Sequence, residues 1–132
     1  MLVVDAAAVV AALVDDGRDG RWAERLLASQ PLAAPHLMPV EVANILRRSV
    51  MSGDLSSDAA ALAHADLLAL RVDLFPYAPF ASRVWELRDN VTAHDAWYVA
   101  LAEELGTSLA TLDVRLSRAK GPTCRFETPP VG

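Results

Sequence analysis

The chain has a single cysteine, Cys124, so no internal disulfide can form, which fits a reducing compartment. Its histidines, His36, His64 and His94, are widely spaced, and no Cys/His cluster has the spacing of a zinc site. Lysine is almost missing: of the 12 basic residues only Lys120 is not arginine. Basic charge is itself short, with 12 basic against 17 acidic residues and a net charge of −5. That balance argues against a protein that coats nucleic acid through a basic surface. It leaves room for an enzyme that makes contact through a few arginines and a bound cation. No uninterrupted apolar run is long enough to span a bilayer. The apolar opening MLVVDAAAVVAALV is broken by Asp5 and carries no positive residue ahead of it, which argues against a signal peptide. A cytoplasmic protein without a membrane role is the expectation. There is no G-x-S-x-G elbow, so a nucleophilic hydrolase finds no support. Repeats, charge blocks and low-complexity linkers are absent too, and a single domain over residues 1–132 is expected.

What is present is an ordinary globular composition, 53% apolar and 22% charged over 132 residues, enough for one sizeable core. Short apolar runs at 2–4, 33–35, 72–75 and 108–112 read as strands, with an edge strand at 125–127. Helical patterns fill the intervals at 6–14, 21–29, 39–51, 59–70, 80–89 and 92–104, and a short one runs to 119. Residues 15–20 read as a turn. Pro39 suits the first position of its helix, and Gly53 and Gly106 suit stops. Strands alternating with helices predict an α/β fold with a central, mostly parallel sheet flanked by helices.

Acidic residues supply the candidate chemistry. Asp5 and Asp113 each end a predicted strand just before a helix. In parallel sheets ligand sites form off the carboxyl ends of the strands, so these two can meet in one cleft. Glu41, in MPVEVANILRR, and Asp95, in NVTAHDAWYVALAEELG, fall in first turns of helices among apolar neighbours. The plainer reading makes Asp5 and Asp113 helix caps, puts Asp95 in a capping box with Thr92, and leaves Glu41 complementing a helix dipole. It explains less well why Glu41 and Asp95 sit on apolar surroundings, where a charge is costly. If the four converge they repel, and a divalent cation removes the conflict. All-oxygen ligands suit Mg²⁺ or Mn²⁺.

The strings VVDAAAVVAAL, PVEVANILRR, ELRDNVTAHDAWYVALAEELG and SLATLDVRLSRA, taken together and in order, resemble the PIN-domain family and, within it, the VapC-type toxins. The third string is the most specific. The resemblance implies a PIN-like three-layer fold. It also implies a Mg²⁺- or Mn²⁺-dependent endoribonuclease, the toxin of a toxin–antitoxin pair, cleaving RNA phosphodiester bonds by metal-activated water. Metal binding and catalysis carry over to Asp5, Glu41, Asp95 and Asp113, with Asp5 and Asp95 as the firmest ligands. Glu41 completes the cluster, and Asp113 is auxiliary. Thr111 either hydrogen-bonds within the cluster or packs as a strand residue. One departure is Ala7, where family members often carry a small hydroxyl or amide side chain. A homodimer and a cognate antitoxin are implied as partners, beside the RNA substrate. Arg47, Arg48, Arg88 and Arg115 either meet phosphate or an acidic partner, or form solvated helix faces. Trp97 and Tyr98 are expected in the core, and His94, at the start of its helix, either reaches substrate or lies on an exposed helix surface.

Other readings fare worse or need a test. A phosphatase with Asp5 as nucleophile wants an acid where Ala7 stands, and a receiver domain wants an acidic pair and a lysine at a late strand end. A PIN-like protein-binding module whose acids only cap helices, and a housekeeping RNA-processing nuclease, remain as alternatives.

Overall fold

Three consecutive apolar residues, Leu2, Val3 and Val4, have almost no exposure, and they set the axis around which the chain folds. A run buried on both faces has the signature of an inner parallel strand. The computed structural model, which describes residues 1–131, makes this run β1 (Leu2–Val4), followed by α1 (Ala6–Val14), α2 (Arg18–Ala28) and β2 (Leu32–Pro35). Next come α3 (Met38–Met51), α4 (Ser57–Ala69) and β3 (Val72–Phe75). A 3-10 turn over Ala78–Phe80 leads into α5 (Ala81–Glu86) and α6 (Ala93–Leu105). The chain ends in β4 (Leu109–Ala110), α7 (Val114–Ser117) and β5 (Phe126–Glu127).

The strand order is β3-β2-β1-β4-β5 and every pairing is parallel. Val3 stands opposite Ala33 on one side and Leu109 on the other. From β1 the chain builds outward through β2 to β3, then crosses back to β4 on the far side. The winding direction therefore reverses between β1 and β4. Right-handed connections put helices of opposite winding on opposite faces. Accordingly α6 packs on β1, β2 and β4, while α1 packs with α2, α3 and α4. This is the expected three-layer α/β arrangement.

Local signals place most boundaries. Thr92 and Ser56 cap α6 and α4 through their hydroxyls, and Gly106 closes α6 at φ 65°, a left-handed conformation that glycine adopts without a Cβ penalty. Three boundaries differ from expectation. The turn expected over 15–20 is shorter, because Asp15 Oδ1 accepts the Gly17 N–H at 2.7 Å and lets α2 open at Arg18. Gly20 packs so tightly there that a Cβ would stand 1.7 Å from the Asp15 carbonyl oxygen. The helix expected over 80–89 is cut to six residues. Pro79 sits in the 3-10 turn before it, and the Leu87 N–H, shared between the Arg83 and Val84 carbonyls, tightens its end. β4 is two residues long, not five, although Val3 N–H to Ser108 O and Thr111 N–H to Glu127 O carry hydrogen bonding past both of its ends.

Candidate active site

The reversal between β1 and β4 leaves a crevice at their carboxyl ends, the usual place for a ligand in an open parallel sheet. Asp5 follows β1 and Asp113 lies just beyond β4, so both stand at this crevice. Both are also helix caps. Asp5 Oδ1 accepts the Ala8 N–H at 2.8 Å, and Asp113 Oδ1 accepts the N–H groups of Arg115 at 2.9 Å and Leu116 at 3.2 Å. A carboxylate has two oxygens, so capping with one leaves the other for the crevice.

Glu41 comes from the first turn of α3 and Asp95 from the first turn of α6. Burial raises the Asp5 carboxyl from 3.8 to about 6, reinforced by repulsion from Asp95 and Glu41 and opposed by hydrogen bonding from Thr111 and Ala8. Asp95 is pushed up as well, first by burial and then by the charge of Asp113, against hydrogen bonding from Thr92 and the charge of His94. The acids thus interact as a row: Glu41 with Asp5, Asp5 with Asp95, Asp95 with Asp113. Among the described residues no three of them are drawn to direct ligation distance of one point.

Three other side chains shape the site. Thr111, fully buried just after β4, accepts the Asp113 N–H at 3.0 Å, and its hydroxyl lies close enough to Asp5 to favour that carboxyl's ionised form. Its role is polar and not packing alone. Tyr98 is buried as expected of a core residue, but its hydroxyl donates to Glu41 Oε1 at 2.6 Å. The phenol is held well above its ordinary value by burial and by the acceptor carboxylate, so it stays a donor. Sequence reasoning missed this role, although the spacing of Tyr98 three residues after Asp95 puts both on one face of α6. Arg115 joins Asn90, Thr92, Asp95 and Asp113 around a cleft of about 300 Å³ and brings the one cationic side chain to its wall. Arg47 and Arg48 are exposed on α3, and Arg88 stacks its guanidinium 4.6 Å from the Trp85 ring centre. Ala7 is exposed and offers the crevice no polar side chain.

Fold and site together define an α/β domain with an acidic crevice at the switch point of a parallel sheet. The PIN domain family model matches residues 2–122, and the chain belongs to that family. It is 42% identical over 126 residues to Ribonuclease VapC1 of Mycobacterium tuberculosis, covering 95% of each chain. It is 39% identical over 130 residues to Ribonuclease VapC9 of the same organism, covering 98% of this chain and 99% of the relative. Among solved structures, VapBC2 from Rickettsia felis, bound to a DNA fragment from its promoter, superposes with a TM-score of 0.68 at 14% identity and covers 98% of both chains. At that identity the likeness speaks for the fold.

Proposed function

We propose that this chain is a metal-dependent endoribonuclease, the toxin of a toxin–antitoxin pair. The observation that carries the reading is the row of Glu41, Asp5, Asp95 and Asp113 at the sheet's switch point in a chain similar to two proteins named as ribonucleases. The donor set fits Mg²⁺ or Mn²⁺. It is all oxygen, and a half-buried Asp5 held near 6 by burial and like charge is a group that a cation would relieve. Mg²⁺ keeps several waters and uses one or two carboxylates directly, so it does not need three of these acids at ligation distance of one point. Asp5 and Asp95 would hold the ion, with Glu41 and Asp113 completing the acidic set. When bound, the ion supplies an activated water and stabilises charge on the phosphodiester.

The chain's own residues prepare the rest. The Ala8 N–H fixes the Asp5 carboxylate, with the Thr111 hydroxyl close by, and Tyr98 fixes Glu41. Arg115 on the cleft wall offers a fork for a phosphate of the RNA strand. A cognate antitoxin is the proposed protein partner, and a homodimer the proposed assembly. Exposed Leu68 of α4 and Leu74 of β3, which line one apolar surface pocket with Pro39 and Val72, are the apolar surface that best suits a covering chain.

The test is cleavage of purified transfer and ribosomal RNA by the isolated protein in Mg²⁺ or Mn²⁺ and in chelator, beside Asp95→Asn. Cleavage at defined positions that needs both the ion and Asp95 is expected. A folded, partner-free protein that cleaves no RNA in either ion would turn the assignment toward a protein-binding module.

A further inference from the structure

Beside the acidic row, on the same edge of the sheet, lies a second cavity of about 220 Å³ lined by Leu37, Tyr77, Ala93, His94 and Trp97. Every lining residue comes from a segment at the carboxyl end of a strand or from the start of α6. Leu37 sits one helical turn before Glu41, whose N–H bonds its carbonyl at 3.0 Å, and His94 is next to Asp95. The cavity therefore opens at the same carboxyl edge of the sheet as the acids, near the helix starts that carry Glu41 and Asp95, and shares no lining residue with the cleft that holds Arg115. Its walls are mainly apolar and aromatic. Tyr77 is 43% exposed and meets Trp97 edge-on, with ring centres 5.2 Å apart and planes at 84°. His94 is exposed at the rim. Among the described residues, the Trp97 indole N–H is the one buried side-chain polar atom without a hydrogen-bond partner. A buried donor left unpaired is costly, and such atoms commonly mark a place where a ligand or water completes the bonding.

We propose that this cavity is a nucleobase subsite: it takes one unstacked base of the RNA strand beside the scissile phosphate and so contributes to the choice of cleavage position. The inference rests on the endoribonuclease reading. Single-stranded RNA is recognised by splaying bases onto aromatic side chains and bonding their edges, and two aromatic rings with a histidine at the rim provide those contacts. In this arrangement the phosphate meets Arg115 in its cleft and the base of a neighbouring nucleotide enters the Tyr77 cavity at the same edge of the sheet. The exposed, loop-borne Tyr77 supplies the stacking face, and His94 bonds a base edge at the rim.

Two measurements separate this subsite from the reaction it serves. In the first, full-length protein with ¹⁵N-labelled tryptophan is titrated in chelator with single-stranded hexamers of uridylate, cytidylate and adenylate. One indole N–H resonance, assigned by its loss in Trp97→Phe, is expected to move, and Tyr77→Ala to weaken that response about tenfold, the scale of one base–aromatic stacking contact. This arm needs no cleavage, so it stands even where the nuclease reading fails. In the second, cleavage sites in a random-sequence RNA pool are compared for wild type, Tyr77→Ala and His94→Ala. Tyr77→Ala is expected to keep metal-dependent cleavage while losing base preference at one position next to the cut, and His94→Ala to lose the same preference. Unmoved indole resonances with all three hexamers would overturn the subsite, as would an unchanged cleavage pattern in both variants. A Trp97 resonance that moves with an apolar peptide but with no RNA would assign the cavity to a protein partner and overturn it equally.

Discussion

Replacing Asp5 by Asn is expected to make the metal-free protein more stable, not less. Asn retains an Oδ1 able to accept the Ala8 N–H and is as good a cap as Asp, so the start of α1 is preserved. What disappears is a charge that the folded protein holds unwillingly. The Asp5 carboxyl stands at about 6 in the fold against an ordinary 3.8. At about 1.4 kcal/mol per pH unit, that gap makes the ionised form cost the folded state up to about 3 kcal/mol. The sign follows from proton linkage. Between 3.8 and about 6 the folded chain keeps a proton that the unfolded chain has released, so this group's contribution falls as pH rises through that window and is flat above it. The advantage of Asp5→Asn over wild type should be near zero at pH 3.5, grow across the window, and reach its full value by pH 7.5. For a domain of this size about 1 kcal/mol corresponds to roughly 3–4 °C, so the difference in Tm approaches 10 °C at most. Thermal unfolding of both proteins in chelator, at half-unit pH intervals, measures it. Saturating Mn²⁺ should then close the gap, because an ion at a hundred times its Kd adds about 2.7 kcal/mol to the wild type alone. A variant no more stable than wild type at pH 7.5 in chelator, or an advantage that does not shrink toward pH 3.5, would refute the account of Asp5 as a half-buried, charge-crowded acid.

Other consequences can be checked in the same way. Tyr98→Phe removes the 2.6 Å donor to Glu41 while keeping the ring, so urea unfolding should show a loss of about 1–3 kcal/mol, and RNA cleavage should drop in the folded variant. Unchanged cleavage would remove Tyr98 from the site. Glu103→Gln acts at the far end of α6, where the carboxylate pairs with Arg83 at 2.7 Å and accepts the Thr123 N–H at 2.7 Å. Burial works against the charge of Glu103, but these bonds outweigh it and hold the carboxyl below its ordinary 4.5. The stabilisation is therefore present above pH 4.5 and is lost as pH falls through the lowered value. The variant should lose about 1–2 kcal/mol at pH 7, with the deficit shrinking in acid and RNA cleavage unaffected. A deficit independent of pH would point to packing and not charge.

The alternation of strands and helices, the parallel sheet and most helix boundaries are legible in the sequence because local chemistry sets them. β1 is three apolar residues ending on an acid, and α6 begins on Thr92 and ends on Gly106, signals that need no tertiary context. The misplaced boundaries are those that distant packing decides. α2 opens early because Asp15 takes the Gly17 N–H and Gly20 nests against Asp15, and neither contact shows in periodicity. β4 loses residues from its expected length because its neighbours β1 and β5 are themselves short. The role of Tyr98 is hidden for a different reason. A tyrosine buried in an apolar helix looks like core until the carboxylate of Glu41, 57 positions earlier in the chain, is seen to meet its hydroxyl.

The acids pose a choice, cap or site, that the sequence alone cannot resolve, and the fold shows why. A helix N-terminus at the carboxyl edge of a parallel sheet is where a capping acid belongs, and it is also where a ligand binds. Asp5 and Asp113 cap α1 and α7 and, by the same geometry, hold a carboxylate at the crevice. What separates these acids from caps elsewhere is the reversal of winding between β1 and β4. Ser56 caps α4 through its hydroxyl on the exposed surface, away from the sheet's switch point. Asp5 instead caps beside β4, where the Thr111 hydroxyl lies close to it and where Asp95 and Glu41 crowd its charge. Capping accounts for one oxygen of Asp5. It gives no reason to gather further acids around the other, at a cost in stability that a cation would offset.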